Sequence, residues 1–237
     1  MIENVGFIGL GKMGKWMAAH VASQNVNLMV FDRDKKAMDF LIGRGAAPAG
    51  SPSEISNMAD VVILSLPNDE ITNEVIFGEK GIAHSARPGT AVVDCGTSGY
   101  SWTRKAAGLL ADQDIHLLDA PVTGLEQKAR DAALTIMVGG NQDKFEEVKP
   151  LMKAFGETII YMGKAGCGQL AKMVNNVIYT VNIAALAELL PLAVKLGLAP
   201  EKITEVINSG SGRSFASQFF IPKIMEDRFR DSYSLSN

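Results

Sequence analysis

The sequence predicts an α/β fold in which a doubly wound parallel sheet is followed by an all-helical second domain. Over the first two-thirds of the chain, short apolar and β-branched runs alternate with segments whose apolar residues recur at helical spacing. That alternation is typical of a parallel sheet whose strands are joined by helices. From about Gly168 a single helical pattern runs far longer than any before it. We therefore expect two domains, with a boundary in the glycine-rich stretch MGKAGCG.

Seven segments are predicted to be strands. In chain order they are NVGFI, NLMVF, DVVILSLP, TAVVDC, IHLLDAP, ALTIMVGG and ETIIYMG. Helical patterns lie between them in KKAMDFLIGRG, SWTRKAAGLLADQ and QDKFEEVKPLMKAF. We place the α/β domain at residues 1–163 and the helical domain at residues 164–237. The second domain begins with the long helix, for which Pro191 predicts a kink or break and Gly197 the end.

Composition favours a small-molecule partner. The 237 residues are 47% hydrophobic and 21% charged, and their formal net charge is −3, which is ordinary for a soluble globular protein. No long block of the sequence carries one sign of charge, so a nucleic-acid partner is not expected. No membrane partner is expected either, since Glu188 and Lys195 interrupt the longest apolar run.

The cysteines and histidines give no indication of a metal site. Cys95 and Cys167 lie far apart, and no secretory leader precedes them, so we expect free thiols in a reducing, cytoplasmic compartment. The histidines have no ligand-like spacing to one another or to the cysteines; they are His20, His84 and His116. No metal is therefore expected.

The stretch FIGLGKMGKWM places Gly9, Gly11 and Gly14 between a predicted strand and a predicted helix. In a Rossmann-type domain the first glycine makes the turn, the second admits the pyrophosphate and the third lets the helix pack on the strand. The helix N-terminus supplies N–H donors for the phosphates. An acidic residue about 20 residues further on completes the pattern, and Asp32 ends the next predicted strand. The context predicts a dinucleotide site, although a ligand-free tight turn has the same pattern.

The choice between NAD and NADP depends on two neighbouring residues. Asp32 would accept hydrogen bonds from the adenine ribose hydroxyls and repel a 2′-phosphate, which favours NAD. Arg33 could instead bind that phosphate, so NADP stays open. The alternative for the stretch DRD is a solvated turn.

A second glycine-bearing stretch, GCGQLAKMVNN, opens the long helix. Lys172 and Asn176 are four residues apart and share a helix face, with Asn175 beside them. A lysine at the start of an inter-domain helix could act as a proton donor, because burial lowers the pKa of an ammonium group. The alternative is an exposed polar patch on an amphipathic helix.

The stretch DAPVTG follows a predicted strand at the edge of the sheet where α/β proteins bind ligands. Thr123 offers a hydroxyl group, and Gly124 leaves the backbone amides unhindered. These are the donors that a carboxylate requires. An ordinary loop has the same composition.

Taken together, these motifs resemble those of the β-hydroxyacid dehydrogenases, which include 3-hydroxyisobutyrate dehydrogenase and, more distantly, 6-phosphogluconate dehydrogenase. The resemblance covers nearly the whole chain. It rests on five motifs in the same order, which are GFIGLGKMG, the LP pair at Leu66 and Pro67, DCGTSG, DAPVTG and GCGQLAKMVNN.

The resemblance implies a role for each matching residue. Lys172 would be the catalytic acid or base in reversible hydride transfer between NAD and a small β-hydroxy acid. Thr123 and Gly124 would hold the substrate carboxylate, with Leu125, Asn175 and Asn176 completing the substrate site. The implied cofactor-binding residues are Gly9, Leu10, Gly11, Lys12, Met13, Gly14, Asp32, Arg33, Leu66, Pro67 and Thr97. Of these, Leu66, Pro67 and Thr97 would line the nicotinamide side of the site.

The chain also departs from the family pattern. Leu125 stands where a second glycine is usual, which puts the substrate in doubt, and Asp131-Ala132-Ala133 stands where a glycine is common. Gly96 replaces a frequent serine and Tyr100 a frequent proline, which would loosen that loop. Family members continue for a further helical stretch, so we expect the C-terminal part of the second domain to be missing or naturally short.

Other functions share parts of this pattern. A non-catalytic NAD(P)-binding regulatory or scaffold protein would keep the fold, and an imine reductase is close. A methyltransferase would not explain GCGQLAKMVNN, and a 6-phosphogluconate-type enzyme would need a basic cluster near the loop. We expect a small carboxylate substrate and a homo-oligomer formed through the helical domain.

Overall fold

The computed structural model describes residues 2–225. Backbone contacts divide the chain into two compact units, Met1–Lys172 and Met173–Asn237. The first unit is an α/β structure, and the second is helical over its described residues, which end at Met225. The boundary predicted between residues 163 and 164 remains our proposal.

The first unit is built on one mixed sheet. Its strands, in chain order, are β1 (Asn4–Ile8), β2 (Asn27–Phe31), β3 (Ala47–Pro48), β4 (Val61–Leu64), β5 (Ala91–Asp94), β6 (His116–Asp119), β7 (Val122–Thr123), β8 (Leu134–Gly139) and β9 (Gly156–Gly163). The strand order is β3-β2-β1-β4-β5-β6-β8-β7, and β9 pairs with β8. The order 3-2-1-4-5-6 is that of a doubly wound dinucleotide-binding sheet.

The sheet is parallel from β3 to β6 but not throughout. β8 runs antiparallel to both β6 and β7, and β9 is parallel to β8. The chain folds back after Asp119 through β7 and a short helix, so β8 returns in the opposite direction. The strand periodicity in the sequence could not distinguish these directions, because both kinds of pairing place alternate side chains on opposite faces.

Helices connect the strands. Those of the first unit are α1 (Gly14–Ala22), α2 (Lys35–Ile42), α3 (Pro52–Met58), α4 (Asp69–Phe77), α5 (Tyr100–Ala111), α6 (Leu125–Arg130) and α7 (Gln142–Met152). Several begin with a side-chain cap of the expected type. The capping side chains that accept a helix N–H are Asp34, Ser51, Asn68 and Asn141.

Both faces of the sheet are covered by apolar side chains. Along β4, Val61 and Ile63 pack into one buried cluster, whereas Val62 and Leu64 pack into the other. Burial on both faces explains why the parallel strands have continuous apolar sequences rather than alternating ones. The core therefore fixes the carboxyl ends of the strands, where the motifs lie.

One long helix, α8 (Cys167–Lys195), begins in the first unit and continues into the second, where α9 (Pro200–Ser209) and α10 (Phe215–Met225) follow. The sequence predicts a kink or a break at Pro191. A break is wrong, because the helix continues through this residue to Lys195, and a kink remains a prediction. The end of the helix expected at Gly197 is close to the end that the structure shows, at Lys195. Gly197 has a left-handed φ of 100°, and Leu198 N donates to Ala193 O, as in a glycine C-cap.

Helix α8 is more apolar than its interruption by charged residues suggests. An 18-residue window within Cys167–Lys195 has a mean hydropathy of 1.9, so by length and composition alone this helix could cross a membrane. The interruption by Glu188 and Lys195 is therefore not sufficient to exclude a span. The mostly buried core helices of soluble proteins meet the same criterion, but the window in α8 is not buried within the described structure. The absence of a membrane partner remains a prediction.

Candidate active site

The three glycines of the first motif meet three different requirements. Gly9 has a φ of 93°, and a Cβ there would overlap the carbonyl oxygen of Ser65. A Cβ on Gly14 would overlap the carbonyl oxygen of Gly9, so this glycine lets α1 pack against the end of β1. Gly11 is exposed, and a Cβ there would meet nothing within 4 Å. Neither packing nor φ requires a glycine at this position. The absence of a side chain leaves the backbone accessible to a ligand.

The start of α1 is suited to an anion. Its N-cap residue, Met13, makes no side-chain capping bond, and no acidic residue stands in its first turn. The N–H groups of a first helical turn have no partners within the helix. The adjacent Lys12 is exposed, while Leu10 is buried beneath the turn. Together with the open face of Gly11, these groups fit a dinucleotide pyrophosphate.

Asp32 stands at the end of β2, beside the glycine turn. Its Oδ2 accepts a hydrogen bond from Leu10 N at 2.6 Å, and its Oδ1 accepts one from Asp34 N at 2.8 Å. A carboxylate oxygen can accept a second bond, so Asp32 keeps acceptor capacity for ribose hydroxyls. Arg33 is exposed beside it.

The next group of predicted cofactor residues follows β4 and β5, which are neighbours in the sheet. Leu66 is half-buried, whereas Pro67 and Thr97 are exposed. A Cβ on Gly96 would lie 2.9 Å from the carbonyl oxygen of Leu66, so the two loops approach closely because residue 96 is a glycine. Gly96 therefore permits the loops after β4 and β5 to contact each other. It does not simply loosen the loop in which it lies.

Buried hydrogen bonds hold the Thr97 loop in place. Asp94, fully buried at the end of β5, accepts bonds from Gly96 N at 2.9 Å and from Ser98 Oγ at 2.8 Å. Burial raises the pKa of Asp94, the nearby Asp119 carboxylate adds to the rise, and the two hydrogen bonds oppose it, so that the pKa is about 6. The ionised form of Asp94 is therefore disfavoured in the folded protein.

We expect Asp94 to make stability depend on pH. Its pKa is raised from 3.8 to about 6, so its stabilising contribution is complete below pH 3.8 and is lost as the pH rises through 6. Relative to Asp94→Asn, the wild type should gain on the order of 2–3 kcal/mol of unfolding free energy when the pH is lowered across this window. Urea titrations at several pH values measure the difference. Asp112→Asn, a change at an exposed aspartate, is the control. If the difference in unfolding free energy between the wild type and Asp94→Asn does not change with pH, the prediction is wrong.

Asp119 organises the start of α8. Its Oδ1 accepts a hydrogen bond from Gly166 N at 2.7 Å, and its Oδ2 accepts one from Gln169 N at 2.9 Å. Burial raises the pKa of Asp119, and these backbone bonds oppose that rise. A Cβ on Gly168 would lie 2.5 Å from the carbonyl oxygen of Asp119 and would also overlap that of Met137. The sequence GCGQ therefore lets the helix begin directly against β6 and β8.

Lys172 lies at the end of the first unit, in the second turn of α8. Its side chain is half-buried, and Nζ donates a hydrogen bond to the carbonyl oxygen of Val122 at 2.8 Å. Burial lowers the pKa of this lysine. Val122 directly precedes Thr123 and Gly124 in the chain, and the catalytic role that the resemblance implies for Lys172 remains a prediction. The partly buried lysine does not fit the alternative of an exposed polar patch.

The loop facing Lys172 contains unusual backbone angles. Gly124 has a φ of 139°, and Leu125, which follows it, has a φ of 61°. Ala132, at the other end of α6, has a φ of 55°. The left-handed region costs a residue with a side chain roughly 1–2 kcal/mol. At Leu125 and near Ala132, where the family pattern has glycine, this chain keeps the backbone conformation that glycine favours.

Asn175 and Asn176 lie in the second unit. Asn175 is exposed, Asn176 is half-buried, and Asn175 Nδ2 donates to Asn176 Oδ1 at 3.4 Å. Asn176 shares a helix face with Lys172 by its spacing. The role of both asparagines in substrate binding remains a prediction.

A polar cluster that no sequence motif indicates joins α1 to α6. Trp16 Nε1 donates to Glu126 Oε1 at 3.1 Å, and Arg130 lies 3.4 Å from the same oxygen. The Trp16 N–H, together with Lys15 and Arg130, lowers the pKa of Glu126. The guanidinium of Arg130 also stacks 4.5 Å from the centre of the Trp16 ring. The helix after the glycine turn is thereby tied to the helix after Leu125.

Three buried polar residues had no assigned role in the sequence, although each lies within a quoted motif. They are Asp94, Asp119 and Gln169. The two aspartates do carry a recognisable pattern, because each is an acid that ends an apolar strand and precedes a loop. Their partners could not be recognised, since Gln169 and Ser98 are 71 residues apart in sequence.

No group of three or more His, Cys, Asp or Glu residues in the described part of the chain is arranged to hold a metal ion. The expectation that the protein needs no metal remains a prediction.

The fold and the glycine turn define a dinucleotide-binding protein. Residues 4–163 match the family described as the NAD binding domain of 6-phosphogluconate dehydrogenase. Residues 166–236 match the family described as NAD-binding of NADP-dependent 3-hydroxyisobutyrate dehydrogenase. The chain belongs to the β-hydroxyacid dehydrogenase family, and its cofactor is NAD(P).

Similar proteins agree with this assignment. The chain is 36% identical to 2-(hydroxymethyl)glutarate dehydrogenase of Eubacterium barkeri over 98% of its own length and 77% of that protein. It is 34% identical to the NAD-dependent L-serine dehydrogenase of Pseudomonas aeruginosa, over 93% and 74%. The structure of Mycobacterium tuberculosis 3-hydroxyisobutyrate dehydrogenase with L-serine is 32% identical and has a TM-score of 0.87, covering 94% of this chain and 75% of that one. These relatives indicate a dehydrogenase that acts on hydroxyl donors.

Proposed function

We propose that the chain catalyses reversible hydride transfer between NAD and a small β-hydroxy acid, with Lys172 as general acid and base. The observation that carries the proposal is the half-buried Lys172 amine, which lies 2.8 Å from the carbonyl oxygen of Val122, next to Thr123 and Gly124. A bound nicotinamide supplies the hydride acceptor or donor. The protein must then orient the acid and move one proton.

The proton step follows from the state of the lysine. During oxidation the neutral amine of Lys172 takes the proton of the substrate hydroxyl group as the hydride leaves. In the opposite direction the ammonium form protonates the carbonyl oxygen. Burial lowers the pKa of Lys172 and so increases the fraction of neutral amine near neutral pH. Thr123 and the amides around Gly124 hold the carboxylate and fix the distance of the hydroxyl group from Nζ.

NAD is the proposed form of the cofactor. The carboxylate of Asp32 is fixed by the amides of Leu10 and Asp34 and keeps capacity for the two ribose hydroxyl groups. A 2′-phosphate would meet this negative charge. The exposed Arg33 is the residue that would favour NADP instead.

The substrate class is suggested by the relatives. Those named for 2-(hydroxymethyl)glutarate, 3-hydroxyisobutyrate and L-serine act on acids with a hydroxymethyl group on the carbon that bears the carboxylate. An absorbance assay at the nicotinamide band with NAD and NADP should show turnover of at least one acid of this type. The panel contains five such acids, 3-hydroxyisobutyrate, glycerate, serine, 3-hydroxypropionate and 2-(hydroxymethyl)glutarate, together with threonine, whose hydroxyl group is secondary. Binding of NADH without turnover of any acid would favour the non-catalytic alternative.

We expect Leu125→Gly to change the ranking of substrates more than the affinity for the cofactor. Leu125 directly follows the loop proposed to hold the carboxylate, and its side chain adds volume there that a glycine would not. The left-handed φ of 61° suits the glycine that replaces it. Relative kcat/KM values across the panel, together with the Kd of NADH, measure the effect.

Ala132→Gly is the matched control for that change. Like Leu125→Gly, it introduces a glycine at a position with a left-handed φ, which is 55° at Ala132. Ala132 lies at the other end of α6, so the change removes no side chain next to the proposed substrate loop. Its substrate ranking should remain that of the wild type. If both variants shift the ranking equally, the effect belongs to the backbone of the loop rather than to the leucine side chain.

Assembly into a homo-oligomer through the helical unit is also our proposal. Along α8, several large apolar side chains of this unit are half or more exposed, among them Val177 at 56%, Ile178 at 58% and Val181 at 60%. Burial of such residues between subunits would stabilise an oligomer. Sedimentation equilibrium measures the state, and a monomer at all concentrations would contradict it. The cytoplasmic location remains a prediction.

A further inference from the structure

Gln169 is a buried residue for which the proposed chemistry gives no role. It lies in the first turn of α8, and only 3% of it is exposed. Its side-chain oxygen accepts a hydrogen bond from Ser98 N at 3.0 Å, and its Nε2 donates one to the carbonyl oxygen of Gly96 at 3.0 Å. One amide group therefore bonds the backbone on both sides of Thr97.

The backbone of Gln169 is also held in place by a hydrogen bond. Gln169 N donates to the buried carboxylate of Asp119 at 2.9 Å, so the position of the residue on the sheet is set by β6. Lys172 is three residues further along the helix and lies on the same face. Through α8, the side chain of Gln169 thus connects the loop that bears Thr97 with the turn that bears Lys172.

The contact requires an amide of this length. The loop offers one acceptor and one donor, and an apolar side chain would leave both unpaired in the interior, which is costly. A glutamate has two acceptors when ionised and would repel the carbonyl oxygen of Gly96. When protonated, a glutamate again has one donor and one acceptor, so its behaviour should depend on pH.

We propose that Gln169 is a positioning residue that sets the distance between Thr97, on the nicotinamide side of the site, and the acid–base group Lys172. The proposal rests on the proposed function of Lys172 and on the nicotinamide-side role that the family resemblance implies for Thr97. Hydride transfer requires the hydroxyl-bearing carbon to face the nicotinamide while its oxygen faces the lysine. Small displacements between the groups that hold these two parts reduce the rate strongly.

Three variants test the proposal. Gln169→Met removes both side-chain bonds and keeps the side-chain length, so kcat should fall tenfold or more while KM and the Kd of NADH change less than threefold. Ser56→Ala is the control, because it removes the hydroxyl group of a buried residue of α3, which makes a hydrogen bond to Ser85 at 2.7 Å. It should lower the melting temperature but leave kcat unchanged. A kcat of Gln169→Met within twofold of the wild type would overturn the proposal.

Gln169→Glu gives a readout that a merely structural role would not produce. Its kcat for aldehyde reduction, divided by that of the wild type at each pH, should rise as the pH is lowered and the introduced carboxyl group becomes protonated. The protonated group can donate to Gly96 O and accept from Ser98 N. A ratio that stays constant with pH would count against the two-ended contact.

Hydrogen exchange separates this inference from the proposed function. In Gln169→Met, amide exchange should accelerate in both the peptide that contains Ser98 and the peptide that contains Lys172, and Ser56→Ala should affect neither. If the wild type turns over no acid, the proposed function fails. Faster amide exchange in both the Ser98 and the Lys172 peptides of Gln169→Met would still support Gln169 as the link between these two segments. Unchanged exchange at Ser98 would overturn the link whatever the activity.

Discussion

Lys172→Ala is expected to lower turnover by on the order of 100-fold or more while leaving NADH binding nearly intact. The half-buried amine of Lys172 lies against the carbonyl oxygen of Val122, beside the loop proposed to hold the carboxylate. Alanine removes the only group proposed to exchange a proton with the substrate. Steady-state rates and a fluorescence titration with NADH measure the two effects separately.

Two further variants sharpen this test. Lys105→Ala removes an exposed lysine of α5 and should leave the rate unchanged. Lys172→Arg keeps the positive charge, but a guanidinium group does not release its proton in this pH range, so it should not restore oxidation. Turnover of Lys172→Ala near that of the wild type would remove the lysine from the mechanism.

The pH profile of the wild type follows from the same residue. Oxidation requires the neutral amine, so its rate should rise with pH to a limit set by the pKa of Lys172. Burial lowers that pKa below its ordinary value of 10.5, which moves the rising limb to lower pH than for an exposed lysine. A profile with no such limb when the chemical step is rate-limiting would contradict the role.

Gly14→Ala and Gly11→Ala are expected to fail in different ways. A Cβ on Gly14 would overlap the carbonyl oxygen of Gly9, so the variant should lose roughly 1–3 kcal/mol of unfolding free energy and its NADH binding. A Cβ on Gly11 meets nothing within 4 Å. That variant should change stability by less than about 0.5 kcal/mol yet bind NADH on the order of tenfold or more weakly.

The comparison decides whether the turn is a ligand site. Urea unfolding gives the stability, and calorimetric titration with NADH gives the affinity. Gly108→Ala, an exposed glycine inside α5 with no neighbour within 4 Å, is the control and should leave affinity unchanged. If Gly11→Ala binds NADH as the wild type does, the open backbone at this position is not where the pyrophosphate approaches.

Much of the fold could be predicted because its determinants are local. The strand around Phe7 and Ile8 is a short apolar run, and the glycine turn that follows needs only nearby residues to be recognised. The direction of β8 was not predictable, since it depends on how the chain folds back after Asp119. The continuation of α8 through Pro191 also opposes a local rule, because proline usually breaks or kinks a helix.

The candidate site was predictable only as separate motifs. The sequence by itself determined the glycine turn with Asp32, the loop at Thr123 and the lysine helix, because the chemistry of each motif is carried by neighbouring residues. The tertiary structure alone decided that Lys172 bonds to Val122 and that Gln169 holds the loop between Gly96 and Ser98. Such contacts join residues far apart in the chain, and burial, which lowers the pKa of Lys172 and raises that of Asp94, exists only once the strands and helices have packed.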